Sequence, residues 1–145
     1  GIVVAGVGYD GRFYVLDDCT MTAATPEQWA ARAIEAYEKW NADSIVAEVN
    51  QGGDMVESLL LRKSRGVRVQ KVRATKGKEI RAEPIAALYE RREASHVGRL
   101  DELERQMTEW DPVNSKKSPD RIDALVWALT ELSGIGKPAG ALKHW

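Results

Sequence analysis

The sequence predicts an α/β domain built on a mixed sheet. Short β-branched apolar runs alternate with segments of helical period, in the order β-β-α-β-α-β-α-α-α and without an internal repeat. The first two runs flank an Asp-Gly turn and make an antiparallel hairpin, whereas later strands are joined by helical crossovers. At 145 residues the chain has the size of one domain with a single core.

Each element follows from local chemistry. Residues 2–7, "IVVAGV", and 13–18, "FYVLDD", are the hairpin strands around the "YDGR" turn. The helix over 24–40 opens with Thr25 as N-cap and Pro26 at its first position, and Trp29, Ala33, Ala36, Tyr37 and Trp40 repeat at helical spacing. "SIVAEV" (44–49) is the third strand, followed by the turn "NQGGD". The next helix, 54–63, takes Asp54 as N-cap, and "GVRVQKV" (66–72) is an alternating strand. A helix over 78–92 contains Pro84, which either kinks it or marks its true start. A short helix (100–110) and a polar loop (111–119) lead to the last helix, 119–132, capped by Ser118 and Pro119. The domain thus occupies residues 1–133, and the Gly- and Pro-rich residues 134–145 form a flexible tail.

Composition removes several classes of function. The chain is 43% apolar and 30% charged, with no run long enough to span a membrane and no leader-like start. A single cysteine, Cys19, excludes an internal disulfide and fits a reducing compartment. Cys19 follows two acids that raise its pKa, which argues against a thiol nucleophile. With only two histidines, neither a structural zinc site nor a Ser-His-Asp triad is supported, so any metal would be a hard ion on carboxylates. "NQGGDMV" lacks the lysine and spacing of a phosphate loop. Most of the five tryptophans fall on helical faces and read as core.

Charge is uneven despite a net of −1. Arg62 to Arg81 holds nine basic residues against one acid, and Asp101 to Asp111 holds five acids against one Arg. The basic run fits either a solvated face or a surface for a polyanion.

Three acids stand where α/β folds place their chemistry. Glu48 ends an apolar strand before a glycine turn, where ligands gather in open sheets. It either faces solvent, pairs with an arginine, or serves a site. Asp120 and Asp123 lie one turn apart at the start of the last helix. The helix dipole explains Asp120, and Arg121 offers to neutralise one of the pair. Asp123 sits deeper, among Ile122, Ala124 and Leu125. Carboxylates from a strand end and a helix start suit Mg²⁺ or Mn²⁺, which take oxygen ligands.

Several phrases together resemble one family: "IVVAGVGYDGRFYVLDD", "AEVNQGGDMV", "KGKEIRAEPIAALYE", "HVG" and "SPDRIDALVWALTEL". From about Gly1 to Leu132 the chain resembles the carboxy-terminal nuclease domain of the large terminase subunit of tailed bacteriophages, prophages or gene-transfer elements. The resemblance implies a ribonuclease H-like fold. It also implies a metal-dependent endonuclease that cuts concatemeric double-stranded DNA during packaging, using two Mg²⁺ or Mn²⁺ ions. Glu48 matches the family's second acid and Asp123 its third, with Asp120 as neighbour or co-ligand. Lys76, Lys78 and Arg81 are then candidates for the DNA backbone. Implied partners are the terminase ATPase domain, which this chain lacks, the portal and the small terminase subunit, at the procapsid in the host cytoplasm.

The family's first Asp lies on a strand before the hairpin, outside this sequence. Without that central strand, the sheet should show unpaired edges. Asp10 is explained by its turn, and Asp17 and Asp18 end the second strand at the edge of the site. Two other readings stay open: a non-catalytic ribonuclease H-like module that docks DNA or portal, and a resolvase- or transposase-like nuclease. Convergence of Glu48, Asp120 and Asp123 distinguishes catalysis from docking.

Overall fold

A computed structural model describes residues 1–49, 53–117 and 119–135. The elements are β1 (Val3–Val7), β2 (Phe13–Asp18), α1 (Pro26–Lys39), β3 (Ile45–Glu48), α2 (Gly53–Lys63), β4 (Val69–Val72), α3 (Lys78–Glu90), β5 (Ala94–His96), α4 (Asp101–Glu109) and α5 (Asp120–Ser133). The mixed α/β class is the one expected from the alternation of periods.

The hairpin forms for the reason its sequence gives. The Asp10 carboxylate accepts the Arg12 N–H at 3.0 Å and the Tyr14 hydroxyl, and Gly11 takes the positive φ (78°) that the turn requires. β1 and β2 then pair antiparallel from Val3↔Asp18 to Val7↔Phe13, with a register shift between Val4 and Ala5. Thr25 and Gln28 close a reciprocal capping box on α1, with Pro26 at its start.

β5 was not expected. It runs parallel to β2, with Phe13↔Ala94 and Val15↔His96, and is only three residues long. Its sequence, "ASH", has no readable period, so tertiary contacts define it. The Glu104 carboxylate only accepts, so His96 Nδ1–H donates to it at 3.0 Å, while the Tyr89 hydroxyl lies 2.8 Å from Nε2. This ring ties β5 to α3 and α4.

Other boundaries shift. α2 begins at Gly53, so Asp54 lies inside its first turn rather than capping it, and pairs with Lys71 at 3.3 Å. The expected turn residues 50–52 lie outside the described residues, as does Ser118. Pro84 sits within a continuous α3 and does not mark its start. It forfeits its own N–H bond toward Ile80, where the helix meets solvent and Ile80 is 56% exposed. Pro119 holds the N-cap position of α5 without a side-chain cap. Gln106 of α4 does that work from a distance, accepting the Ile122 N–H at 2.9 Å and donating to Asp120 at 3.0 Å. At its other end α5 stops at left-handed Gly134, and Ile135 packs on the core. The tail beyond lies outside the described residues.

The sheet is in two pieces, ordered β1-β2-β5 and β3-β4, the second pair parallel. Among the described residues β1 pairs only with β2, and β3 only with β4. Val3–Val7 and Ile45–Glu48 line one cavity of about 1440 Å³ with Trp29, Ala33 and Tyr37 of α1 and Asp123, Ala124 and Trp127 of α5. Among the described residues β1 and β3 thus each keep one edge without a strand partner. The core divides in the same way. Val15, Leu88, Leu103, Leu125 and Leu129 form one cluster, and Ala30, Ile34, Leu59, Leu60 and Val67 form the other. Leu132, expected in the α5 stripe, is 36% exposed. No helix of the described residues is long and apolar enough to cross a membrane.

Candidate active site

Glu48 is the last residue of β3, at the carboxyl end of a parallel pair where it aligns with Val72. Its side chain is exposed and the next residue, Val49, is buried. The strain expected of a buried strand carboxylate is therefore absent. Glu48 pairs with no arginine in the described contacts. Its Oε2 accepts the indole N–H of Trp127 at 3.0 Å.

Trp127 is four residues after Asp123, so both lie on one face of α5. Glu48, Asp123 and Trp127 all line the same cavity. The Asp123 backbone is fixed by the bond from its N–H to the Pro119 carbonyl (2.8 Å). Its carboxylate is 18% exposed and pairs through Oδ2 with Lys78 Nζ at 2.7 Å. Trp127 was expected to be core. It is half-buried, and the guanidinium of Arg81 lies 4.9 Å from its ring centroid. The signal for its role was the i,i+4 spacing from Asp123 combined with an indole donor.

Asp120 lines the same cavity, but its Oδ1 is held by Gln106. Burial works to raise its pKa, and the Gln106 hydrogen bond leads the contributions that hold it below the ordinary value. Arg121 neutralises neither Asp120 nor Asp123 by direct pairing. Its Nε donates to Asp18 at 2.8 Å, on the β2 side of the helix. Asp17 accepts from Lys39 (3.0 Å) and Trp40 (3.1 Å), so both acids ending β2 are engaged away from Glu48.

The donor chemistry suits a hard cation. Magnesium is commonly held by one or two carboxylates, with water and substrate phosphate completing its shell. Glu48 and Asp123 supply that number. Among the described residues no group of three His, Cys, Asp or Glu is placed to hold a metal. Glu48, Asp120 and Asp123 are therefore not gathered into such a group, and the convergence expected of a three-acid metal centre is absent among the described residues.

Basic residues stand beside Asp123 and Trp127. Lys78 and Arg81 lie in the first turns of α3, and Lys76 precedes it, its carbonyl accepting from Arg81 Nε at 3.2 Å. Much of the remaining basic run is paired on the surface. Arg62 and Lys63 meet Glu27 (3.8 and 3.1 Å), and Lys71 meets Asp54 and Glu57 (3.3 and 2.7 Å). The cationic edge next to the carboxylates is therefore the start of α3.

Cys19 lies outside this chemistry. Burial, followed by the charge of Asp17, pushes its thiol up to about 11. Alkylation by iodoacetamide near about pH 8 should be about tenfold or more slower than for an unfolded control, and should accelerate as pH rises toward the shifted value. Equal rates in the folded and unfolded chain would refute the assigned environment.

A family model described as "Terminase RNaseH-like domain" matches residues 1–132. No curated protein and no solved structure matches the chain.

Proposed function

The chain belongs to the terminase RNaseH-like domain family, and on that premise we propose that it hydrolyses phosphodiesters of concatemeric double-stranded DNA during genome packaging, with a divalent cation. The observation that carries this reading is that Glu48 and Asp123 line one cavity, where Glu48 accepts the indole N–H of Trp127, one turn on from Asp123. Bound there, Mg²⁺ or Mn²⁺ would polarise a phosphoryl oxygen and acidify an attacking water. Glu48 and Asp123 are the chain's proposed ligands, and Asp120 a neighbour that the Gln106 bond keeps ionised and oriented. Lys76, Lys78 and Arg81 are proposed to meet the phosphate backbone, where they would add salt-dependent and sequence-independent affinity. A two-ion arrangement requires a further acid, and the family resemblance puts one on a strand ahead of Gly1. The proposed setting is the host cytoplasm at the procapsid, with the ATPase domain, portal and small terminase subunit as partners.

Plasmid cleavage by a polypeptide extended through that strand tests the proposal. Supercoiled DNA should become nicked or linear with Mn²⁺ or Mg²⁺ and stay intact in EDTA. Retained DNA binding without cleavage under every cation would instead favour the docking module.

A further inference from the structure

We propose that Arg73, with Lys76 beside it, is the main contact with the DNA backbone, so that duplex DNA approaches along residues 73–77 at the carboxyl end of the β3–β4 pair. This rests on the reading that the chain acts on double-stranded DNA, and it requires no metal ion.

Most of the basic run from Arg62 to Arg81 is committed once the chain folds. Arg62 and Lys63 share Glu27, Lys71 is held by Asp54 and Glu57, and Arg68 is engaged as well. Lys78 pairs with Asp123 at 2.7 Å, and Arg81 lies over the Trp127 ring and donates to the Lys76 carbonyl. A cation that must leave a carboxylate to meet a phosphate gains less than one that waits in solvent. Arg65, Arg73 and Lys76 are the members of the run whose side chains make no hydrogen bond or ion pair among the described residues, and all three are exposed.

Position separates these three. Arg65 lies ahead of β4, at the amino end of the strand pair. Arg73 follows directly on Val72, which aligns with Glu48 and whose carbonyl accepts the Val49 N–H at 2.9 Å. It therefore leaves the sheet beside the strand end that carries Glu48, where parallel strands gather their ligands. From there residues 73–77 are exposed throughout and lead into α3, which places Lys76 between Arg73 and the helix start. The guanidinium of Arg73 can also meet a phosphate with two parallel N–H bonds, which an ammonium cannot.

The test is binding of the full chain to a short blunt duplex in EDTA, followed by fluorescence anisotropy across a salt series. Arg73→Gln should weaken binding about three- to tenfold at low salt and reduce the slope of log affinity against log salt by about one. Lys76→Gln should act in the same direction, Lys78→Gln clearly less, and Arg65→Gln should match wild type. Arg73→Lys should restore the slope, because the slope counts charge and not shape. If wild type binds and Arg73→Gln matches it, or Arg65→Gln loses as much as Arg73→Gln, the assignment of Arg73 is wrong while the DNA reading stands. Absence of binding by wild type even at low salt would remove the DNA reading and this contact with it.

Discussion

Plasmid cleavage should fall by about 10³-fold or more when either Glu48 or Asp123 is replaced by alanine, a loss of about 4 kcal/mol in transition-state stabilisation. Each variant removes one of the two proposed carboxylate ligands, both of which line the cavity. Water can occupy the vacated position but brings no negative charge, so both cation affinity and cation placement suffer. Neither substitution should unfold the domain. Glu48 is exposed and Asp123 is half-buried. Asp123→Ala does leave Lys78 without its 2.7 Å partner, but that lysine is already 41% exposed and can solvate. Asp120→Ala is the informative contrast. Its carboxylate is committed to Gln106, so its loss should cost much less activity than either of the others. Measuring initial rates across Mn²⁺ concentration separates the two effects, because lost affinity is recovered at high cation and lost placement is not. Cleavage at the wild-type rate by the Glu48 or Asp123 variant would end the assignment of that residue.

Elements that depend on local chemistry were legible from sequence. The Asp-Gly turn set the hairpin, and Thr25 with Pro26 set the start of α1. Elements that depend on distant partners were not. β5 is three residues whose identity as a strand comes from Phe13–Val15 and from the Tyr89–His96–Glu104 bonds. The start of α5 is capped by Gln106, sixteen positions before Ile122, where local reading looked only to Ser118 and Pro119. The candidate site divides in the same way. Strand-end and helix-start positions pointed to Glu48 and Asp123, because both follow from secondary structure alone. Trp127 was placed in the core because its spacing is apolar, yet its N–H is what links α5 to Glu48. The Lys78–Asp123 pair was equally invisible, since it needs α3 and α5 to be neighbours.

Arg121→Ala should destabilise the folded domain by about 2–4 kcal/mol, somewhat below the range for breaking a fully buried ion pair. The Asp18 side chain is 9% exposed and that of Arg121 18%, so the carboxylate cannot recover full hydration when its partner goes. Its Oδ1 keeps the Thr20 N–H at 3.2 Å, which offsets only part of the loss. Arg121→Lys should not rescue fully, because an ammonium on a longer stem cannot reproduce the Nε–H donor held at 2.8 Å. Asp18→Asn in the Arg121→Ala background should recover part of the stability by removing the stranded charge, and a double-mutant cycle measures that coupling. Denaturant midpoints supply the readout, and a change within about 0.5 kcal/mol for Arg121→Ala would class the pair with ordinary surface salt bridges. The position of this bond makes its loss more than a matter of stability. It joins the end of β2 to the first turn of α5 across 103 residues, and Asp123 lies two residues further along that turn. Under conditions where the variant remains folded, cleavage should therefore still drop, because the helix that carries Asp123 has lost one of its ties to the sheet.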